Sequence, residues 1–284
     1  MKPSQPQNAV LDPNRFIDRL MAHGKFVGQL PKTRLQESET DRGPRFHRNI
    51  AAQAFRSHIS KPPVAQPTLD ALLFKLVAGL KEFYQDSRTL DYLRNRYGKP
   101  QNMPPGDKDR FYDSKDTIIG FNDTLVDVIG SGASQFDFDQ LLTFMTDVFA
   151  ATEGQQYAGD FHERAREAVV GMRNEMAVEQ LLTAGHIEFR RGSVLEDSKG
   201  GDYFIDDVPI DFKSNELSAQ KARMRAEENG YDGSMILWSH VRPEDFEGKL
   251  TLPYAKRAAI FAELKPELDA AIAAHKQSWT VRTT

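Results

Sequence analysis

The segment GGDYFIDDVPIDFKS, residues 200–214, places three chemically capable side chains at fixed intervals. With Asp206 and Asp207 as a two-residue turn, Ile205 faces Val208, Phe204 faces Pro209, Tyr203 faces Ile210 and Asp202 faces Asp211. Side chains alternate along a strand and match across a pair. One face of this hairpin therefore holds Tyr203, Ile205, Val208, Ile210 and Phe212, all apolar, and the other holds Asp202, Phe204, Pro209, Asp211 and Lys213. Burying the apolar face sets two carboxylates side by side with a lysine one step beyond. Directly opposed like charges destabilise a sheet, so the pair gains most from a cation between them. Two carboxylates and a backbone carbonyl, such as that of Phe212, suit a hard divalent ion like magnesium. Such an ion polarises a phosphoryl oxygen and lowers the pKa of a bound water, and Lys213 is placed to orient that water or to meet charge on a phosphate. The bland alternative is a solvated hairpin face.

The elements around the hairpin must hold it. An amphipathic helix is expected over about Asp160–Ala184, stopped by Gly185, followed by a strand over Ile187–Val194 and then the hairpin. Asn215–Asn229 reads as a polar helix, SMILWSH as a short buried strand, and Tyr254–Lys276 as a helix that Pro266 bends or splits. The order helix, three strands, helix, strand gives an α/β (α+β) class with a mixed β-sheet flanked by helices.

In this order and spacing, residues 161–240 resemble the core of the PD-(D/E)xK, or restriction endonuclease-like, nuclease superfamily. The residues carrying the resemblance are Asp202 after Gly200-Gly201, then Asp211-Phe212-Lys213 followed by Ser214. The resemblance implies a nuclease using Mg2+ or Mn2+, with Asp202 and Asp211 as metal ligands and Lys213 serving the nucleophile. It also implies a further acid on the preceding helix. Glu175, ten residues before Gly185, fits best, and Glu179, one turn on, is the alternative. Ser214, and Gln220 on the following helix, are implied contacts to water or phosphate. The sequence departs from the family at two points: the literal Pro-Asp is absent, and Met224 stands where the helicase-linked exonuclease branch carries a tyrosine four residues after the glutamine.

Upstream, residues 67–158 read as an all-helical module. The spacing of Leu69, Leu72, Leu73, Leu76 and Leu80 predicts one helix, and a second follows over Ser87–Tyr97, ended by Gly98-Lys99-Pro100. Residues 99–110 read as a loop, and helices follow at about 114–130 and 137–151. No catalytic constellation falls in this module, so targeting, homodimerisation or contact with a protein partner is its expected role.

Residues 1–66 are rich in proline and carry 11 Lys/Arg against 5 Asp/Glu, a net of +6; the totals of 37 and 41 then leave 26 and 36, a net of −10, for the remainder. Such asymmetry fits a basic arm for a polyanion, with Arg42, Arg45 and Arg48 around Phe46 as candidate nucleic-acid contacts; the alternative is a solvated, partly disordered tail. A short helix from Asn14 is the one element expected there.

With no cysteine, the chain has no disulfides, thiolate nucleophile or cysteine-ligated zinc. The histidines show no metal-binding spacing, and no Walker, GxGxxG or GxSxG element occurs. No signal-peptide h-region opens the sequence and no apolar run reaches the ~20 residues of a membrane span, so a cytoplasmic protein is expected. The functional expectation is a metal-dependent phosphodiesterase, an endonuclease acting on nucleic acid, DNA first among the substrates. Its rival is a non-catalytic nucleic-acid-binding or assembly protein that retains a nuclease-like core.

Overall fold

A computed structural model describes residues 69–132, 137–192, 202–228 and 233–283. The basic segment 1–66, with Arg42, Arg45, Arg48 and the helix expected from Asn14, lies outside the described residues. The chain divides into two compact units between Met172 and Arg173. That division falls inside a helix, downstream of the change at 158/159 read from the sequence.

In the first unit the described elements are helical: α1 (Leu69–Tyr97), α2 (Pro105–Gly132), α3 (Phe138–Glu153) and the first half of α4 (Ala158–Ala184). Of the leucines at helical spacing in α1, Leu72, Leu73, Leu76 and Leu80 are buried and Leu69 is half-buried; Phe83, Leu90 and Leu93 from the same helix join them. Rings from different helices interlock. Phe83 stacks on Phe121 with centroids 4.1 Å apart, and Phe149 on Phe161 at 4.0 Å. A Cβ on Gly79 would lie 3.3 Å from the Phe121 ring, so glycine gives that ring its seat.

Two expectations change here. The two helices read over 68–97 are one, because nothing in Gln85-Asp86-Ser87 breaks a helix once its hydroxyls are absorbed. Ser87 Oγ donates to the Phe83 carbonyl (2.7 Å) and Thr89 Oγ1 to that of Gln85 (3.0 Å). The loop expected over 99–110 is shorter, since α2 begins at Pro105. Proline costs nothing in the first turn, where its missing N–H would have no partner, and Lys108 N–H already donates to the Pro104 carbonyl (2.9 Å). Asp137 caps α3, its N–H donating to Gln140 Oε1 at 2.9 Å.

The second unit holds the rest of α4, then β1 (Arg190–Arg191), β2 (Tyr203–Ile205), β3 (Val208–Lys213), α5 (Glu216–Glu228), β4 (Ile236–Trp238) and α6 (Tyr254–Thr283). The four strands form one mixed sheet in the order β1-β2-β3-β4. β2 pairs antiparallel with both β1 and β3, and β4 runs parallel to β3. A parallel neighbour needs a crossover, and α5 supplies it. The core joins Ala177, Val178, Leu181 and Leu182 of α4 to Tyr203, Ile205, Val208, Ile210 and Leu237 of the sheet and to Ile260, Phe261, Leu264, Leu268 and Ala271 of α6. Gly185 ends α4 where a Cβ would lie 2.2 Å from the buried Phe261 ring, a clash only glycine avoids.

The strand expected from Ile187 is laddered only at Arg190–Arg191 among the described residues; Ile187 and Phe189 instead pack on the core. Pro266 does not split α6, which runs unbroken through it. Leu264 and Leu268 on either side are fully buried, while Pro266 and Ala262, whose carbonyl loses its partner, face water. Among the described residues no helix is long and apolar enough to cross a membrane.

Candidate functional site

The hairpin forms with the register its apolar face demands. Asp206 and Asp207 adopt φ of 50° and 64°, the left-handed pair of a tight hairpin turn. Tyr203 pairs with Ile210, Phe204 with Pro209 and Ile205 with Val208. Tyr203, Ile205, Val208 and Ile210 are 3 % exposed or less, as an inward face requires. One step further along this register stands Asp202 opposite Asp211. The Asp202 carbonyl accepts from Gly192 N–H at 2.8 Å, which ties the start of β2 to the end of β1.

Asp211 is one of two buried charged residues among the described residues, only 7 % exposed. Its carboxylate takes the Lys213 ammonium on both oxygens, at 2.7 Å on Oδ1 and 2.5 Å on Oδ2. The two residues are neighbours on one side of β3, so the strand's own pleat makes the pair. On the adjacent strand β4, Asp211 is in register with Ile236 and Lys213 with Trp238. The Trp238 ring stacks on His240 at 4.4 Å, and the Arg242 guanidinium lies 5.4 Å from its centroid. The backbone beyond Lys213 is held by Ser239 N–H donating to its carbonyl (3.1 Å). Ser214 is exposed at the end of β3, and Gln220 is exposed on α5. Asn215 caps α5, its Oδ1 accepting from Ser218 N–H at 2.8 Å.

The helix acids have a different neighbour. Glu175 and Glu179, one turn apart on α4, both receive the Arg191 guanidinium of β1. Arg191 pairs with Tyr203 in the sheet, so alternation sends both toward α4; the Tyr203 hydroxyl lies 3.4 Å from the Glu175 carbonyl. Asp211, next to the inward Ile210, points to the other side of the pleat. The structure thus brings Asp211 to Lys213, and Glu175 to Glu179, without merging the two pairs. Among the described residues no group of three acidic or histidine side chains is placed to hold a metal ion. The hard-oxygen donors that remain for a divalent cation at the hairpin are Asp202 and Asp211, a donor set whose chemistry suits magnesium or manganese.

Sequence reasoning did not single out Arg191. Its partners could be found only once β1 was registered on β2, and residues 193–201 separate the two strands. Trp238 falls in the buried strand expected at SMILWSH; its place beside Lys213 follows from a parallel pairing that no local pattern announces. No family model matches the sequence, and neither a curated protein nor a solved structure matches it significantly.

Proposed function

We propose that Arg173–Thr284 is a metal-dependent nuclease unit hydrolysing phosphodiester bonds of nucleic acid, with DNA as substrate. The observation that carries the reading is the Asp211–Lys213 couple at the end of β3, a strand paired on both sides, with Asp202 one register step across from Asp211. The order helix, three strands, helix, strand supports the restriction endonuclease-like assignment that the sequence motif implies.

Asp202 and Asp211 would hold Mg2+ or Mn2+. The ion would supply polarisation of a phosphoryl oxygen and a more acidic bound water. The chain's own groups do the positioning. Lys213 keeps its proton at Nζ and offers it to a water or to the phosphate oxygen on which charge develops. Asp211 fixes the direction of that ammonium. Exposed Ser214 and Gln220 supply hydroxyl and amide groups to substrate near the end of β3. Glu175, or Glu179 in its place, can join only by leaving Arg191, so a competent state exchanges that ion pair for another cation.

A second reading is a non-catalytic nucleic-acid-binding or assembly protein with the same core. The observation favouring it is that Asp211, Glu175 and Glu179 each already meet a cationic side chain. Nicking of supercoiled plasmid in chelator, magnesium and manganese decides between the two. Cleavage in metal alone, lowered by about a hundred-fold or more in Asp211→Asn and Lys213→Ala, supports the nuclease. Nucleic-acid binding with no cleavage under any metal condition supports the second reading.

A further inference from the structure

Along α1, tyrosines and arginines alternate at four-residue intervals: Tyr84, Arg88, Tyr92 and Arg96, of which Tyr84 is buried and the other three are exposed. Four residues are slightly more than one turn, so the four form a slowly winding stripe about 18 Å long. Each arginine lies against the ring one turn before it. Arg88 is 5.5 Å from the Tyr84 centroid, and Arg96 is 5.8 Å from that of Tyr92 and 5.1 Å from that of Tyr97. Arg96 also donates to the Tyr92 hydroxyl at 2.5 Å. Arg94 lies 5.8 Å from the Phe111 centroid.

None of Arg88, Arg94 and Arg96 has a carboxylate at ion-pair distance among the described residues, whereas nearby Arg164 takes both Asp91 and Asp160. The nearby acids are occupied: Asp91 by Arg164, and Asp107 by the Tyr97 hydroxyl at 2.6 Å. From Arg88 to Arg110 the chain carries Arg88, Arg94, Arg96, Lys99, Lys108 and Arg110 against Asp91, Asp107 and Asp109, six against three, a net of +3 in a remainder that is otherwise acidic. The helix dipole explains basic residues in the last turn of α1, but it falls off within that turn and does not reach Arg88. Nor does it explain Tyr92, a large ring left 51 % exposed.

We propose that the Arg88–Tyr92–Arg96 stripe of α1 binds single-stranded nucleic acid. The arginines meet phosphates and the exposed Tyr92 ring stacks on a base. Guanidinium groups held against rings, each with one N–H donating to a tyrosine hydroxyl, have lost much of their freedom and retain further N–H donors, which lowers the cost of ordering them on a phosphate. Stacking favours a single strand over a duplex, because only unpaired bases present a face. The surface belongs to the helical unit and does not depend on cleavage by the sheet unit.

The test is fluorescence anisotropy of the full chain with a labelled twelve-residue oligothymidylate and with a duplex of equal strand length. It is run in chelator, so that cleavage plays no part. Tighter binding of the single strand is expected. The double change Arg88→Gln with Arg96→Gln should lower the slope of log affinity against log salt by about 1.4, at about 0.7 per phosphate contact on a single strand. Tyr92→Ala should weaken binding by about ten-fold with the slope unchanged, and Tyr92→Phe, which keeps the ring, should restore it. Residues 1–66 contribute alike in every variant, so differences belong to α1. Unchanged salt slope in the arginine variant, equal binding by Tyr92→Ala and Tyr92→Phe, or a preference for the duplex overturns the proposal.

Discussion

In the sheet unit, Arg191, Arg223 and Arg242 each meet a carboxylate from another element: Glu175 and Glu179 of α4 for the first, Glu267 and Glu263 of α6 for the others. In α1 the guanidinium groups of Arg88, Arg94 and Arg96 meet aromatic rings instead. The two arrangements ask different things of the same side chain. An ion pair across elements fixes their relative position, and breaking it strands a partly buried acid. Arg88 and Arg96 lie on rings of their own helix and tie nothing distant, so their charge remains available to an anion arriving from outside. Charge neutralised within the fold contributes to structure; charge left at the surface, directed by rings, serves recognition.

The comparison breaks first at Arg191. Its side chain is 9 % exposed and shared by two glutamates, so Arg191→Ala should cost about 2–3 kcal/mol in urea unfolding, after discounting for the partial exposure of the acids. A cost near zero would mean that the pair is no more structural than the α1 stripe. Lys213→Met should cost about 1–2 kcal/mol, since the carboxylate left behind is mostly buried but its partner is 33 % exposed. Replacing Asp206-Asp207 by Asn-Gly sharpens the sheet side. Both positions have φ above 50° or at it, a conformation those residues adopt more readily, so a gain of about 0.5–1 kcal/mol is expected. A loss there would mean that the link between Asp206 and Lys276 of α6, at 3.1 Å, outweighs turn preference. The smallest effect belongs to Arg96→Gln, whose melting temperature should match wild type. A clear drop would place Arg96 with the structural arginines.

Legibility followed the range of the interactions. The hairpin register was readable because one face is wholly apolar, and a one-residue slip would bury Asp202 and Asp211 in place of Tyr203 and Ile210. The pairing of Asp211 with Lys213 follows from the same alternation, since two residues apart on a strand means side by side. The start of α2 was missed because Pro104-Pro105-Gly106 resembles a loop, although proline is well suited to a first helical turn. The seamless course of α6 through Pro266 was missed because the burial of Leu264 and Leu268, which holds both sides in line, is a tertiary fact.

By itself, then, the sequence determined the elements whose periodicity is local: the leucine face of α1, the amphipathic α4 ending at Gly185, and the hairpin with its two acids and lysine. The tertiary structure alone decided which distant groups meet. It set β1 on β2 and so gave Glu175 and Glu179 to Arg191, it laid β4 beside β3 and so put Trp238 next to Lys213, and it left Arg88 and Arg96 on rings. Alternation and helical pitch are properties of a single segment and can be read along it. Contacts between segments depend on how loops close and which faces are buried together, and no short window of sequence carries that information.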